Sequence, residues 1–160
     1  MRPPAGTYRR GVDDVQRAAL EVVLLASSFR STLGASVATW GGGAAEVELV
    51  PDAGLLNLGG TVHGGVVASL ADLAFEIACN SWGRQVVATG LSVHYAAAAR
   101  PGTLLVATAS ELTRSRRIAS YEVVVRAEDA TVAWAQATAY RTDGWHLGEA
   151  AWTPQWRREH

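Results

Sequence analysis

The chain has 160 residues, and its 14 basic side chains, all of them arginine, are nearly balanced by 15 acidic ones, which leaves a formal net charge of −1. A charge so close to zero argues against nucleic acid as a partner. The single cysteine, Cys79, excludes an internal disulfide and favours a reducing compartment, so we expect a cytoplasmic protein. No metal-ligand spacing such as CxxC or HExxH occurs, and no apolar stretch reaches the roughly 18 residues of a membrane span. We therefore expect neither a metal centre nor a membrane segment.

The N-terminal part of the chain predicts a flexible start, a helix and a hairpin. Residues 1–10 contain two adjacent prolines and three arginines, a composition typical of a loosely attached terminus. Apolar residues at helical spacing predict a helix over 13–28. Two β-rich stretches, 35–40 and 44–50, flank three consecutive glycines and predict a β-hairpin.

The next stretch predicts a half-exposed strand followed by a long apolar helix. In the second hairpin strand, Glu46 and Glu48 alternate with apolar residues, so we expect one face of that strand to contact water. A glycine-rich loop then leads to an apolar helix over 64–82, and Gly83 is a natural stop for it.

The second half of the chain is rich in β-forming residues. Short turns separate four stretches of about ten residues each, which are 85–96, 103–112, 118–127 and 131–141. Consecutive strands with short turns predict an antiparallel meander. Because the long helix is apolar on most sides, it needs cover, and a curved antiparallel sheet of about five to six strands wrapped around it provides that cover. We therefore expect an α+β domain over 11–142 with an extra N-terminal helix.

The C-terminal residues 143–160 form a separate, tryptophan-rich tail. Trp145, Trp152 and Trp156 stand there among polar residues. Because exposed indoles are unfavourable, we expect them to pack on the domain or on a neighbouring subunit.

Two features of the long helix point to catalysis on a carbonyl group. Asp72 lies in the middle of the helix, where an acid is costly to bury without a partner. His63, Gly64 and Gly65 open the same helix, so backbone N–H groups at its positive end are uncovered by side chains. A helix start of this kind can stabilise an oxyanion, and the carboxylate can act as a base.

The residues around this helix resemble a known family. Asn57 precedes His63 by six residues, Asp72 follows His63 by nine, and a Pro-Gly-Thr-Leu step stands at 101–104. This set is similar to that of the hotdog-fold thioesterases of the phenylacetate-degradation type, over roughly residues 33–142. The resemblance implies a hotdog fold and hydrolysis of acyl-CoA thioesters without a metal or prosthetic group, so that coenzyme A enters only as part of the substrate.

The resemblance also implies roles for individual residues. The N–H of Gly64 or Gly65 would polarise the thioester carbonyl, and Asn57 would help to place the water or the carbonyl. Asp72, from the opposite subunit, would act as general base or nucleophile. Thr89 on the following strand is the nearest candidate to assist the water, although Ala88 is the alternative occupant of that position. The family is often tetrameric, so the resemblance implies a homotetramer.

The spacing alone argues for at least a dimer. Gly64 and Asp72 are eight residues apart, which corresponds to about 12 Å of rise along one helix. Both groups must act within about 3 Å of one reacting centre, so a single chain cannot supply both to the same carbonyl. Two helices related by a twofold axis can do so.

Other residues have both a structural and a functional interpretation. Glu76, one turn after Asp72, is a structural partner or a pocket-edge residue, and His63 is more simply a helix cap than a base. Phe75 is expected to shape the acyl pocket. The arginines at a predicted strand turn, Arg114, Arg116 and Arg117, form either a solvated hairpin tip or a contact for the phosphates of coenzyme A.

Two other functions remain possible from the sequence. One is a hotdog hydratase or dehydratase, although the Asp-x-Asn-Pro-x-His motif of such enzymes is absent. The other is a non-catalytic module that binds acyl-CoA or an acyl-carrier protein. The sequence leaves open whether the carrier of the acyl group is coenzyme A or a protein.

Overall fold

A computed structural model describes residues 12–160, so the flexible start predicted for residues 1–10 lies outside the described part of the chain. Four α-helices and six β-strands follow one another within these described residues. The helices are α1 (Asp14–Leu24), α2 (Ser28–Leu33), α3 (Gly64–Asn80) and α4 (Pro154–Glu159). The strands are β1 (Ser36–Gly41), β2 (Ala44–Leu49), β3 (Arg84–Tyr95), β4 (Leu105–Arg114), β5 (Ile118–Ala127) and β6 (Ala130–Trp145). None of the helices among residues 12–160 is long and apolar enough to cross a membrane.

The six strands form one antiparallel sheet that covers the long helix. Their order is β1-β2-β4-β5-β6-β3, so β1 and β3 are the edge strands. Helix α3 packs on the inner face, where Phe75 contacts Tyr121 of β5 with ring centroids 5.3 Å apart. The α+β hotdog architecture expected from the sequence is confirmed, with six strands.

The single N-terminal helix predicted over 13–28 is in fact two helices. Asp13 caps α1 in a capping box with Gln16, and α1 ends at Leu24. The Ser27 side chain then accepts a hydrogen bond from the N–H of Arg30 and starts α2. A serine that caps a new helix breaks the run of helical backbone but leaves the spacing of the apolar residues unchanged. The sequence pattern therefore predicts one helix where the structure has two.

The prediction that one face of β2 contacts water is wrong for Glu46. Glu48 is half-buried, but Glu46 is only 2% exposed. Strand β2 lies inside the sheet, and Glu46 is paired with Thr39 of β1 on one side and Thr108 of β4 on the other. Neighbouring strands on both sides therefore cover its side chain.

The tryptophan-rich segment packs against the domain. Trp152 is 3% exposed, and its indole N–H donates to the carbonyl of His146 over 2.7 Å. The Trp156 indole donates to the carbonyl of Trp82 over 3.1 Å, and the two rings are 6.0 Å apart. Gly83 has a left-handed backbone (φ 84°), and a Cβ there would overlap the Trp152 ring. This glycine therefore allows the C-terminal segment to approach the end of α3 closely.

Candidate active site

The exposed face of α3 carries two carboxylates. Asp72 and Glu76 stand one helical turn apart on a helix whose other middle residues are buried. Asp72 lines a groove of about 390 Å³ together with Phe29 at α2 and Val87 and Ala88 of β3. Partial burial in this groove raises the pKa of Asp72. The pKa of Glu76 is raised by burial and, in addition, by the negative charge of Asp72.

The start of α3 presents a free backbone donor. His63 is the N-cap, and its Nδ1 accepts a hydrogen bond from the N–H of Gly65 over 2.9 Å. The N–H of Gly64, by contrast, has no acceptor among the described residues. Of the two glycines expected to polarise a carbonyl, Gly64 therefore has the available donor. In this structure His63 organises the helix start, in agreement with its interpretation as a cap.

Tyr95, which sequence reasoning missed, supports this helix start. Its hydroxyl donates to the carbonyl of Gly64 over 3.0 Å, and its ring lies where a Cβ at Gly64 would be only 3.3 Å away. A tyrosine at the end of β3 carries no sequence signal that connects it with a helix start 31 residues earlier. Only the pairing of elements in space reveals the contact.

Asn57 organises the loop that precedes α3. Its side-chain oxygen accepts from the N–H of Gly59 over 2.9 Å, and its amide nitrogen donates to the Thr61 hydroxyl over 2.9 Å. The residue is exposed, and these bonds hold the loop in a turn that leads into the helix. In the single chain Asn57 therefore supports the loop beside the helix start.

Thr89 does not line the groove of Asp72. A register shift between Ala88 and Gly90 marks an irregularity in β3, and the Thr89 hydroxyl donates to the carbonyl of Thr138 over 3.1 Å. Ala88 lies in the groove instead. The alternative position, Ala88, is therefore the one that the structure brings near Asp72.

Phe75 is a core residue, contrary to the expectation that it shapes the acyl pocket. It is 0% exposed and packs on Tyr121 under the sheet. Helical geometry explains the difference, because Phe75 precedes Glu76 by one residue and its side chain is therefore turned about 100° away from that of Glu76, toward the sheet.

The three arginines predicted to contact phosphates have different environments. Arg117 forms two hydrogen bonds of 2.9 Å with the carboxylate of Asp143, which lowers the pKa of Asp143. Arg114 pairs with Glu111 at 3.4 Å and lies over the Trp82 ring. Arg116 is exposed, and its guanidinium forms no ion pair within residues 12–160. Two of the three, Arg114 and Arg116, line a common pocket.

The structure therefore keeps two groups of candidate residues apart. Asn57, His63, Gly64 and Gly65 gather at the start of α3, while Asp72 and Glu76 lie further along the same helix. The axial rise between Gly64 and Asp72 is about 12 Å.

Comparisons with known proteins identify the family. The sequence profile of the Thioesterase superfamily matches residues 59–133. The acyl-coenzyme A thioesterase PaaI of Escherichia coli is 33% identical over 119 residues, which cover 74% of this chain and 85% of that protein.

Solved structures agree with this assignment. The E. coli PaaI structure has a TM-score of 0.76 and 28% identity, and the match covers 82% of this chain and 95% of that one. A variant of the phenylacetic acid degradation protein PaaI from Thermus thermophilus has a TM-score of 0.71 and 36% identity, over 72% of this chain and all (100%) of that one. This chain belongs to the Thioesterase superfamily, a family of thioester hydrolases, and has the hotdog fold.

Proposed function

We propose that the protein hydrolyses acyl-CoA thioesters at a site shared between two subunits. The observation that carries the proposal is the free N–H of Gly64 at the positive end of a helix that also carries the solvent-facing carboxylate of Asp72. An oxyanion donor and a base are the two groups that hydrolysis of a thioester needs. The name of the E. coli relative, an acyl-coenzyme A thioesterase, supports this choice of substrate class.

The proposed reaction begins at the carbonyl. The thioester oxygen accepts a hydrogen bond from Gly64, and the helix dipole stabilises the negative charge that develops there. Asp72 of the partner subunit takes a proton from a water molecule, whose oxygen attacks the carbonyl carbon. The tetrahedral intermediate then expels the thiolate, which receives that proton, and a carboxylic acid and a free thiol are released. Direct attack by the Asp72 carboxylate, through an anhydride that water then hydrolyses, is the alternative sequence.

The other residues expected to take part support these two groups. Asn57 and His63 hold the loop and the helix start that present Gly64. Glu76 stands beside Asp72 at the pocket edge. Thr89 keeps its proposed place beside the water only if the groove is remodelled in the dimer, because its hydroxyl points toward Thr138 in the single chain.

The edge strand β3 supports the proposed dimer. It is twelve residues long, and most of its side chains are exposed, including Val87 and Tyr95 at 56% each. A long, exposed sheet edge is a template for pairing with another strand. A second copy on this edge, related by a twofold axis, would cover β3 and bring Asp72 of one subunit toward the helix start of the other. We propose a homotetramer built from two such dimers, as the family resemblance implies.

We propose an aryl-acetyl or other medium-sized acyl group as the part that is released. The structural neighbours named for phenylacetic acid degradation support an aryl-acetyl group. No metal or prosthetic group takes part in the proposed reaction, and coenzyme A enters only as part of the substrate. An acyl-carrier protein is the alternative carrier. The single buried cysteine is compatible with the cytoplasmic location that we propose.

A panel of acyl-CoA thioesters tests the function directly. We expect release of free thiol from the wild type and a loss of kcat of about 100-fold or more in Asp72→Asn, since general-base catalysis contributes that much. Asp129→Asn, in an exposed turn, removes the same charge away from the groove and should retain full activity. Equal turnover by Asp72→Asn would contradict the role of Asp72. Hydration of an enoyl-CoA, or tight binding without hydrolysis, would favour the other two functions.

A further inference from the structure

A pocket lined by arginines lies at the end of the sheet where the C-terminal segment docks. Its volume is about 490 Å³, and its lining includes six arginines, namely Arg84, Arg114, Arg116, Arg141, Arg157 and Arg158. They come from four separate places, which are the start of β3, the turn between β4 and β5, the end of β6 and helix α4. The chain therefore brings distant cations to one cavity.

The charge in this pocket is not balanced by the protein. Against six guanidinium groups, the lining contains a single carboxylate, Glu159, whose Oε1 accepts from Gln155 over 2.9 Å. Asp143, Glu111 and Glu149 form ion pairs around the pocket with Arg84, Arg114 and Arg157. Within residues 12–160, no carboxylate forms an ion pair with the remaining three, Arg116, Arg141 and Arg158.

The position of Arg141 in this cluster is energetically unfavourable for its charged side chain. Its side chain is buried, with the residue 6% exposed, and among residues 12–160 its guanidinium donates only to the carbonyls of Ser115 and Arg116. Burial and, after it, the positive charges of Arg84 and Arg114 lower the pKa of Arg141 to about 10. A buried cation without a carboxylate partner is unfavourable, and an anion beside it would offset both the burial and the repulsion from the neighbouring cations.

Two guanidinium nitrogens of arginines that line the pocket lack acceptors. Nη1 of Arg114 and Nε of Arg157 are buried and have no hydrogen-bond partner among the described residues. Glu111 cannot satisfy Arg114 fully, because its Oε2 already accepts from the Trp82 indole over 3.0 Å and from the Tyr121 hydroxyl over 2.8 Å. Buried donors in native proteins are normally satisfied, so these two arginines keep unused hydrogen-bonding capacity beside the pocket.

The C-terminal segment is anchored so that its arginines are in place before a ligand binds. The ring of His160 stacks on Trp156 at 3.8 Å and on Trp82 at 4.3 Å. Trp152 is buried beneath α4 and stacks on Trp156 at 6.0 Å. This aromatic packing fixes the short helix that carries Arg157 and Arg158, which limits the entropy lost on binding.

We infer that this pocket is a phosphate-binding site completed by the C-terminal segment. A phosphate group offers several oxygen acceptors in the geometry that guanidinium groups match, and its negative charge fits an unbalanced arginine cluster. The site uses Arg84, Arg141, Arg157 and Arg158 in addition to the turn arginines Arg114 and Arg116, and it excludes Arg117, which does not line the pocket. The phosphate is carried either by the thioester substrate, which would extend the proposed function, or by a separate small molecule.

Direct titration with inorganic pyrophosphate tests the site independently of catalysis. The full-length protein is compared with the double variant Arg116→Gln/Arg158→Gln, whose exposed side chains make no ion pair, so the fold should be retained. We expect calorimetry to show that pyrophosphate binds the wild type. Its affinity for the double variant should be at least about tenfold weaker, as for lost charge-assisted hydrogen bonds. The matched control Arg100→Gln/Arg126→Gln removes the same charge outside the pocket and should bind like the wild type. Added salt should weaken the binding to the wild type.

Coenzyme A and dephospho-coenzyme A distinguish the two sources of the phosphate. If the substrate carries it, coenzyme A should bind the wild type more tightly than it binds Arg116→Gln/Arg158→Gln. Dephospho-coenzyme A should show the same loss in the double variant if the diphosphate occupies the pocket, and no loss if the 3′-phosphate does. If coenzyme A and dephospho-coenzyme A each bind the double variant as tightly as the wild type while pyrophosphate binding is lost, the pocket holds a separate phosphate compound. Equal pyrophosphate affinity of the wild type and the double variant, or no binding by the wild type, would overturn the inference. Because calorimetry requires no turnover, failure of the proposed hydrolysis would leave this result intact.

Discussion

At the scale of single residues, the chemistry of the site depends on carboxylates that are costly to ionise. The groove around Asp72 and Glu76 raises the pKa of both side chains through partial burial. A carboxylate with a raised pKa is a stronger base once it is ionised. The same burial makes the ionised form less favourable in the folded protein than in the unfolded chain, so activity and stability place opposite demands on Asp72.

Asp72→Asn should therefore stabilise the protein near neutral pH. Because the folded-state pKa of Asp72 is raised, the folded state binds more protons, and the wild type loses stability as the pH rises from the ordinary value of 3.8 through the raised value. Asp72→Asn has no carboxylate to ionise at this position, so it does not lose this stability. Its Tm should exceed that of the wild type at pH 7, and the difference should shrink toward pH 4, as measured by calorimetric melting. Asp129→Asn should show no such pH-dependent gain, and a lower Tm of Asp72→Asn at pH 7 would contradict this account.

At the scale of elements, the start of α3 can be tested by removing one N–H. Gly64→Pro deletes the proposed oxyanion donor at the first helical position, where proline is compatible with a helix. His63 already has the backbone (φ −62°, ψ 135°) that a residue before proline prefers. We expect a loss of kcat of about 100-fold, the usual effect of losing one such donor.

Gly64→Ala is the matched control for this change. It keeps the N–H and introduces a Cβ at 3.3 Å from the Tyr95 ring, so it reproduces the steric change without removing the donor. Circular dichroism should show that both variants keep their helices. Equal losses of kcat in the two variants would assign the effect to the contact with Tyr95 and not to the oxyanion donor.

The packing of the C-terminal segment against the end of α3 can also be tested at the scale of elements. Gly83→Ala places a Cβ into the Trp152 ring at a left-handed position, whereas Gly102→Ala has a similar backbone (φ 76°) and no atom within 4 Å. We expect Gly83→Ala to lower the free energy of unfolding by about 1–3 kcal/mol more than Gly102→Ala, the usual cost of overpacking. Urea unfolding followed by tryptophan fluorescence measures both. Equal destabilisation would show that Trp152 is free to move aside.

At the scale of the whole molecule, the shared site predicts complementation between inactive subunits. In a dimer of one Asp72→Asn chain with one Gly64→Pro chain, one site receives both intact groups and the other site receives neither. Random mixing makes about half of the dimers mixed, so about one quarter of the wild-type activity should return. The two variants are mixed under conditions that exchange subunits, and thiol release is measured. Activity that stays at the level of the separate variants would contradict a shared site.

Much of the fold was predictable because its signals are local. The apolar helix over 64–82 and the strands separated by short turns follow from patterns that span a few residues each. The break between α1 and α2 was missed because Ser27 caps a new helix without disturbing the apolar spacing. The burial of Glu46 was missed because it depends on strands β1 and β4, which are distant in sequence from each other.

The sequence by itself determined the helix start, the acid in mid-helix and the distance between them, since 1.5 Å of rise per residue holds for any α-helix. Only the tertiary structure decided which glycine keeps a free N–H, because that choice depends on the orientation of the His63 ring. It also placed Phe75 in the core and Ala88 beside Asp72. The arginine pocket is likewise a tertiary feature, since its cations come from residues 84 to 158 and no local pattern connects them. Patterns along the chain record which chemical groups are present, while the packing of the sheet, α3 and the C-terminal segment decides which of them meet.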